Sequence, residues 1–228
     1  MPNGYKLKRI MIHDNGIEKQ VRPKTRNPWA NTLLYMPLEW DLIDKVSWES
    51  WTGYWTQTYV TLDSWIQVYH WNSSHYAETP VVAMNTAFTL NVWLKRNSSS
   101  WEPMVRNDNS GFRNFYQVAF SNTDMSDGRY YNWTYYGITQ AIDTNWHNHV
   151  LVCDSWGVKV YLDKNNIYTN SNIPSLVWKT QRWGIWFDQS GGGASWDAYY
   201  SNIIMENKGW DISEISDYYD QTKANYWL

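Results

Sequence analysis

The sequence predicts an all-β fold of short antiparallel strands. The clearest signal is the segment from Trp146 to Asp163, which has a period-two pattern on both sides of the polar turn Asp154-Ser-Trp-Gly157. This arrangement is typical of a β-hairpin. Further strand-like segments follow one another with polar turns between them, which is typical of a β-sandwich. A chain of 228 residues is long enough to bury a sizeable core in one such domain.

The first 28 residues are predicted to form a separate element. Strand-like runs at 5–13 and 17–22 flank Asn15-Gly16, a dipeptide that favours a tight hairpin turn. A linker follows at 23–28, and residues 29–228 are predicted to form the sandwich domain. Because a lone hairpin is only marginally stable in water, we expect residues 1–28 to dock on the sandwich or to bind an assembly partner.

Along the second domain, strands are predicted wherever apolar alternation lies between polar turns, and one helix is predicted near 212–223. Asp211, with Glu214 three residues later, predicts a capping box at the start of that helix. The predicted strands are 59–63, 66–70, 86–96, 113–121, 129–136, 149–154, 157–163, 183–187 and 197–206.

Several segments resemble laminin-G-like domains of the concanavalin A-like superfamily, in the family's order. They are the opening strand Leu33–Asp44, the core strand Phe88–Lys95, the Trp146–Asp163 hairpin, the closing strand Ser195–Glu206 and the helix Asp211–Tyr219. The resemblance implies a jelly-roll sandwich of two antiparallel sheets, with a short C-terminal helix and the N-terminal hairpin as an extension. Such domains bind glycans or protein partners, and many relatives bind Ca²⁺ through loop oxygens.

Tryptophan is unusually frequent, with 18 residues against 12 glycines. Many tryptophans lie where a turn glycine is expected, because glycine adopts positive φ without steric cost. We hypothesise that UGA encodes glycine in this gene and is translated here as tryptophan. The alternative is that the tryptophans are real and form an aromatic binding surface. The positions in question are Trp40, Trp48, Trp51, Trp55, Trp65, Trp71, Trp156, Trp196 and Trp227.

Composition excludes several classes of function. The net charge of −3 and the absence of a basic cluster argue against a nucleic-acid partner. No apolar run approaches the ~18 residues that a membrane span needs. The single cysteine, Cys153, is expected to be a buried apolar residue. The N-terminus lacks an apolar signal region, so we expect a virion-associated protein, a cell-surface protein exported by a non-classical route, or otherwise a cytoplasmic one.

A glucanase-like hydrolase is the alternative function. Glu39, Asp41 and Asp44 come close to the E-x-D-x-x-E motif of laminarinase-type glucanases. Retaining hydrolysis needs two carboxyl groups ~5 Å apart, one as nucleophile and one as acid. Against catalysis, the last residue is aspartate, the motif lies on the opening strand, and no second acidic cluster accompanies it. We therefore predict no enzymatic activity.

Two kinds of metal site were considered. His147 and His149 could share one strand face, but no further histidine or cysteine ligand is evident, and a structural role is favoured. Calcium is the more plausible ion, since Asn107–Gly111 and Asp124–Gly128 are predicted to be oxygen-rich loops. Ordinary Asx turns explain the same residues. No cofactor is therefore assigned, and Ca²⁺ remains an open alternative.

Binding is the favoured function. The region 112–136 combines aromatic, amide and guanidinium side chains, which stack on sugar faces and hydrogen-bond to hydroxyls. The same side chains suit a protein surface. The candidate ligand-binding residues are Asn109, Arg113, Tyr131 and Tyr135. We predict a non-catalytic adhesion module that binds carbohydrate or a surface protein, as an exposed part of a cell-surface or phage assembly.

Overall fold

A computed structural model describes most of the strands and the C-terminal helix. Side chains are described for residues 59, 61, 87–96, 134, 136–154, 157–171 and 198–226. The backbone is described for 10–14, 17–21, 32–36, 52–54, 58–61, 67–72, 76–78, 82–83, 87–96, 104–107, 114–121, 124–131, 134–154, 157–171, 180–181, 183–186 and 197–226.

The chain divides into two compact units, Met1–Ala30 and Asn31–Leu228. The first unit contains the hairpin of β1 (Ile10–Asp14) and β2 (Ile17–Val21), whose last pair is Asp14 with Ile17. The predicted N-terminal hairpin is therefore present, and residues 5–9 of its predicted first strand lie outside the described residues.

The second unit contains two large antiparallel sheets. Its strands are β3 (Thr32–Met36), β4 (Thr52–Tyr54), β5 (Thr58–Thr61), β6 (Gln67–Asn72), β7 (Tyr76–Glu78), β8 (Val82–Ala83), β9 (Phe88–Arg96), β10 (Met104–Asn107), β11 (Asn114–Ser121), β12 (Asp124–Tyr131), β13 (Thr134–Ala141), β14 (Trp146–Asp154), β15 (Gly157–Leu162), β16 (Asn165–Asn170), β17 (Thr180–Gln181), β18 (Trp183–Trp186) and β19 (Asp197–Glu206).

One sheet has eight strands in the order β16-β15-β14-β9-β19-β6-β5, with β3 paired to β19. The other has seven strands in the order β13-β12-β11-β10-β18-β7-β4, and β8 pairs separately with β17. Strands β15 and β16 approach β12 and β13 across the two sheets. The predicted all-β sandwich of two antiparallel sheets is confirmed.

The core lies on β9 and β14, the central strands of the eight-stranded sheet. Nearly every residue of both strands is buried. By alternation, Leu90, Val92 and Leu94 belong to one face, and Asn91 and Trp93 to the other. Because both faces are covered, polar residues such as Thr89, Asn91 and Asn148 are buried on these strands together with the apolar ones.

Helix α1 (Ile212–Thr222) covers the outer face of the eight-stranded sheet. Its predicted capping box is present: the Glu214 N–H donates to Asp211 Oδ1 at 2.9 Å, and the Asp211 N–H donates to Glu214 Oε2 at 3.2 Å. Trp93 stacks on Tyr226 and Tyr219, with ring centroids 4.2 and 5.6 Å apart. Among the described residues, no helix is long and apolar enough to cross a membrane.

A buried polar network lies beneath this helix. Asn148 Nδ2 donates to Asn91 Oδ1 at 2.9 Å, and Asn91 Nδ2 donates to the carbonyl of Asn202 at 3.3 Å. Asn202, which has a φ of 50°, donates from Nδ2 to the Tyr226 hydroxyl at 2.6 Å. Buried amides are costly unless they are hydrogen-bonded, so this network favours one docked position of the C-terminal segment.

Several local predictions are wrong. The predicted strand 129–136 is two strands, since β12 ends at Tyr131 and β13 begins at Thr134. The predicted oxygen-rich loop Asp124–Gly128 lies within β12, which pairs with β11 on one side and β13 on the other. Strand β16 was missed because its sequence is too polar to be recognised by apolar alternation, and the short strands β4, β7, β8, β10 and β17 were missed as well.

Candidate ligand-binding surface

The four predicted ligand-binding residues belong to, or adjoin, one end of the seven-stranded sheet. Tyr131 ends β12 and Tyr135 lies near the start of β13. Arg113 is the residue before β11, and Asn109 follows β10 by two residues; both lie outside the described residues. The register pairs Tyr131 with Thr134 and Tyr135 with Tyr130, so the two tyrosines occupy successive rungs.

Successive rungs alternate between the two faces of the seven-stranded sheet. The rung through Val118 is mainly aliphatic and belongs to the face toward the core. It consists of Ile185, Val105, Val118, Asp127 and Ile138. On β13, Ile138 and Gln140 are half-buried, whereas Thr139 and Ala141 are exposed; nearer the start of the strand the alternation is weaker, with Gly137 half-buried and Thr134 exposed. The positions that alternate with Ile138 therefore form the outer face.

Two neighbouring rungs of this outer face differ in composition. The first, which we call the aromatic rung, contains Phe115, Tyr130 and Tyr135 on β11, β12 and β13. The second, the glycine rung, contains Gln117, Gly128 and Gly137. Sequence analysis includes Tyr135 but misses Phe115 and Tyr130, because their alignment is visible only once both hairpin registers are known.

A charged cluster lies at the opposite end of β13, where the chain passes into β14. His147 Nδ1 is 2.6 Å from Asp163 Oδ2, and its Nε2 is 2.9 Å from Asp143 Oδ1. Asp163 Oδ1 also accepts the Asn148 N–H at 2.9 Å. Because both ring nitrogens face carboxylates, the protonated imidazolium donates to both sides.

Electrostatics favour the charged form of His147. Burial leaves the His147 side chain 15% exposed and disfavours its charged form. Hydrogen bonds and charges from Asp163 and Asp143 outweigh this effect of burial and raise the pKa of His147 above 6.5. Hydrogen bonding, led by the Asn145 N–H and then by His147, lowers the pKa of Asp143 below 3.8. These charged hydrogen bonds link β14 to the adjoining turns, and we call the cluster of Asp143, His147 and Asp163 the His147 latch.

The geometry favours the structural interpretation of both histidines. The nitrogens of His147 are taken by carboxylates, and His149 is fully buried in the core. Where side chains are described, no group of three His, Cys, Asp or Glu residues is arranged to hold a metal ion. Cys153 is also fully buried. Residues 108–111 of the other predicted calcium loop lie outside the described part of the chain.

The tryptophans divide into two groups. Trp93, Trp146 and Trp210 are buried, and none of them is a candidate for recoding. Trp71 lies within β6 opposite Ala198, so its predicted location in a turn is wrong. The other eight candidates for recoding lie outside the described residues: Trp40, Trp48, Trp51, Trp55, Trp65, Trp156, Trp196 and Trp227.

The fold is similar to solved binding domains, although no family model and no curated protein sequence matches the chain. Domain 4 of AbnA, an extracellular GH43 arabinanase from Geobacillus stearothermophilus in complex with arabinotriose, has a TM-score of 0.67 and 12% identity over 82% of this chain and 97% of that domain. The binding domain of botulinum neurotoxin DC in complex with rat synaptotagmin II has a TM-score of 0.66 and 9% identity over 84% of this chain.

A third structure concerns botulinum neurotoxin type C, whose cell entry depends on interaction with two ganglioside molecules; its TM-score is 0.64 at 11% identity. This chain spans about half of the two neurotoxin chains, 51% and 52% of their lengths. At these identities the similarity concerns the fold, and it supports the lectin-like β-sandwich. These structural neighbours are carbohydrate- or protein-binding domains.

Proposed function

We propose that this chain is a non-catalytic module that binds carbohydrate. The observation that carries the proposal is the match to the arabinanase domain in complex with arabinotriose, which covers 97% of that domain. A sandwich of this size is thus a sufficient unit for binding sugar. Because one fold hosts many functions, the proposal also needs a suitable surface in this chain.

The predicted binding residues adjoin such a surface. Tyr135 belongs to the aromatic rung, and Arg113 directly precedes β11. Aromatic residues offer large apolar faces, and guanidinium and amide groups donate hydrogen bonds to hydroxyls. Asn109, Arg113, Tyr131 and Tyr135 remain our predicted contacts, although the register places Tyr131 one rung from Tyr135 and therefore on the opposite face of the sheet. We propose that the sandwich is laminin-G-like, with Ca²⁺ at its rim as an open alternative.

A glycan array with purified protein, followed by calorimetric titration, tests this function. We expect binding to at least one oligosaccharide class and no release of reducing sugar from glucans. Glucan hydrolysis that Glu39→Gln abolishes would instead establish the glucanase alternative, in which Glu39, Asp41 and Asp44 act; these residues lie outside the described part of the chain.

A protein partner is the second candidate, favoured by the neurotoxin domain in complex with synaptotagmin. The separate compact unit Met1–Ala30 supports an assembly role for residues 1–28, in a phage particle or at a cell surface. Deletion of residues 1–28 is expected to abolish co-assembly while sugar binding persists. Loss of both activities in a folded deletion variant would contradict this division of roles.

We also propose that UGA is read as glycine in the source of this gene. In the β12–β13 hairpin the last pair is Tyr131 with Thr134, which leaves Asn132-Trp133 between the strands. In the β14–β15 hairpin the last pair is Asp154 with Gly157, which leaves Ser155-Trp156 between the strands. In the described two-residue turn of the same domain, Asp163 and Lys164 have φ of 48° and 63°. Two-residue turns with positive φ strongly favour Asn-Gly and related pairs.

The encoding DNA tests this proposal directly. We expect UGA at Trp40, Trp65, Trp156 and Trp196, and UGG at the buried Trp93 and Trp146. The register adds Trp133 to the candidate positions. UGG at every position would overturn recoding and favour a tryptophan-lined binding surface. Under recoding, binding measurements must use protein with glycine at the recoded positions.

A further inference from the structure

The aromatic rung places three aromatic residues in line across adjacent strands. Phe115 pairs with Tyr130, and Tyr130 pairs with Tyr135. Neighbouring strands are ~4.8 Å apart, so the three positions succeed one another at that spacing across the sheet. Aromatic residues spaced in this way suit successive rings of an oligosaccharide, because sugar rings present flat faces of C–H groups to aromatic faces.

The adjacent glycine rung lies on the same face, ~7 Å along the strands. Gly128 pairs with Gly137, and the same rung continues through Gln117 and Arg106 to Gly184. Glycine weakens a strand, and in strand interiors it often marks a close approach of a ligand to the backbone. The two paired glycines beside the aromatic rung therefore point, independently of it, to a ligand that lies on the sheet.

The charge of this face favours a neutral ligand. Across β10, β11, β12 and β13, the described outer-face positions include one carboxylate, Asp124, and one basic residue, Arg106, so their formal charges balance. Gln117, Ser126 and Thr139 share the face and offer amide and hydroxyl groups for hydrogen bonds to sugar hydroxyls. A sialylated glycan or a nucleic acid would require a net positive charge that these four strands do not supply on this face.

We propose that a neutral oligosaccharide binds across β11, β12 and β13 on the outer face of the seven-stranded sheet, stacked on the aromatic rung and passing over the glycine rung. The inference rests on the proposed function and adds its site and ligand class. It assigns Phe115 and Tyr130, as well as Tyr135, to the sugar contact.

Calorimetric titration of the full chain with arabinotriose, cellotetraose and sialyl-lactose tests the proposal. We expect a neutral oligosaccharide to bind, and Tyr130→Ala and Tyr135→Ala each to weaken its binding about tenfold. Tyr168→Ala, on edge strand β16 of the other sheet, is the matched control and should leave affinity unchanged. Thermal unfolding of each variant checks that it is folded.

A second pair of variants separates binding from stability. Gly137→Thr should block the ligand while preserving the strand, since threonine has a higher strand propensity than glycine. Ala141→Thr, on the same strand and face but two rungs further away, should bind as the unaltered chain does. The two variants therefore add side-chain volume to the same face of one strand, but only Gly137→Thr adds it on the glycine rung.

The outcomes distinguish the site from the function. If none of the three sugars binds and the glycan array is also negative, the proposed function itself fails. If a sugar binds but the rung variants and Gly137→Thr keep full affinity, the function stands and this site is overturned. Preference for sialyl-lactose over both neutral sugars would overturn the ligand class.

Discussion

The eight-stranded sheet is covered on both faces around β9 and β14, whereas the seven-stranded sheet has one outer face with exposed residues at Thr139 and Ala141. The covered sheet carries buried tryptophans and a polar network beneath the helix. The other carries aromatic residues and glycines on its outer face. Similar strand chemistry thus serves stability where a second layer covers it, whereas at Thr139 and Ala141 the described face is open to solvent.

The largest expected difference between the two sheets follows removal of Trp93. Its ring is fully buried, stacks on two tyrosines, and its Nε1–H donates to Thr222 Oγ1 at 3.2 Å. Trp93→Ala should lower the free energy of unfolding by about 3–5 kcal/mol, measured by urea denaturation. An equal loss of stability in Tyr130→Ala, on the outer face of the seven-stranded sheet, would contradict this difference between the two sheets.

The next effect is the pH dependence of the His147 latch. Because the pKa of His147 is raised in the folded state, its stabilisation is complete below the unfolded value of 6.5 and is lost as pH rises through the folded pKa. His147→Gln should cost about 2 kcal/mol at pH 5.5 and less at pH 9, by denaturation at both values. An equal cost at both pH values would show that the charge of His147 does not matter.

A smaller effect is expected at the start of helix α1. Asp211→Ala removes the acceptor of the Glu214 N–H and should lower the free energy of unfolding by about 1 kcal/mol. Ser213→Ala, in the same exposed first turn, is the control and should change stability much less. Equal losses in the two variants would show that the effect is not specific to the capping carboxylate, because alanine has a higher helix propensity than serine or aspartate.

The smallest effect is expected at the surface ion pair between the turn and the helix. Lys164 Nζ lies 3.0 Å from Asp220 Oδ1, but both side chains are well exposed and Lys223 also contacts Asp220. Lys164→Gln should leave the unfolding midpoint nearly unchanged, because exposed ion pairs contribute little. A large shift would show that this turn anchors the helix through charge.

Sequence patterns predicted the elements that local chemistry determines. Alternation located the β14–β15 hairpin, and the capping box located α1, since both depend on residues only a few positions apart. The division between β12 and β13 was missed because the two residues between them, Asn132-Trp133, include no glycine or proline that would indicate a turn, and β16 was missed because its exposed residues are largely polar.

By itself, the sequence determined that this protein is a β-sandwich with a capped C-terminal helix, because periodicity and capping are local properties. Only the tertiary structure decided which distant residues meet. Trp93 reaches Thr222 across 129 residues, and Asp163 reaches His147 from a neighbouring turn. The aromatic rung likewise depends on two successive hairpin registers, and a shift of one residue in either would move its members to opposite faces.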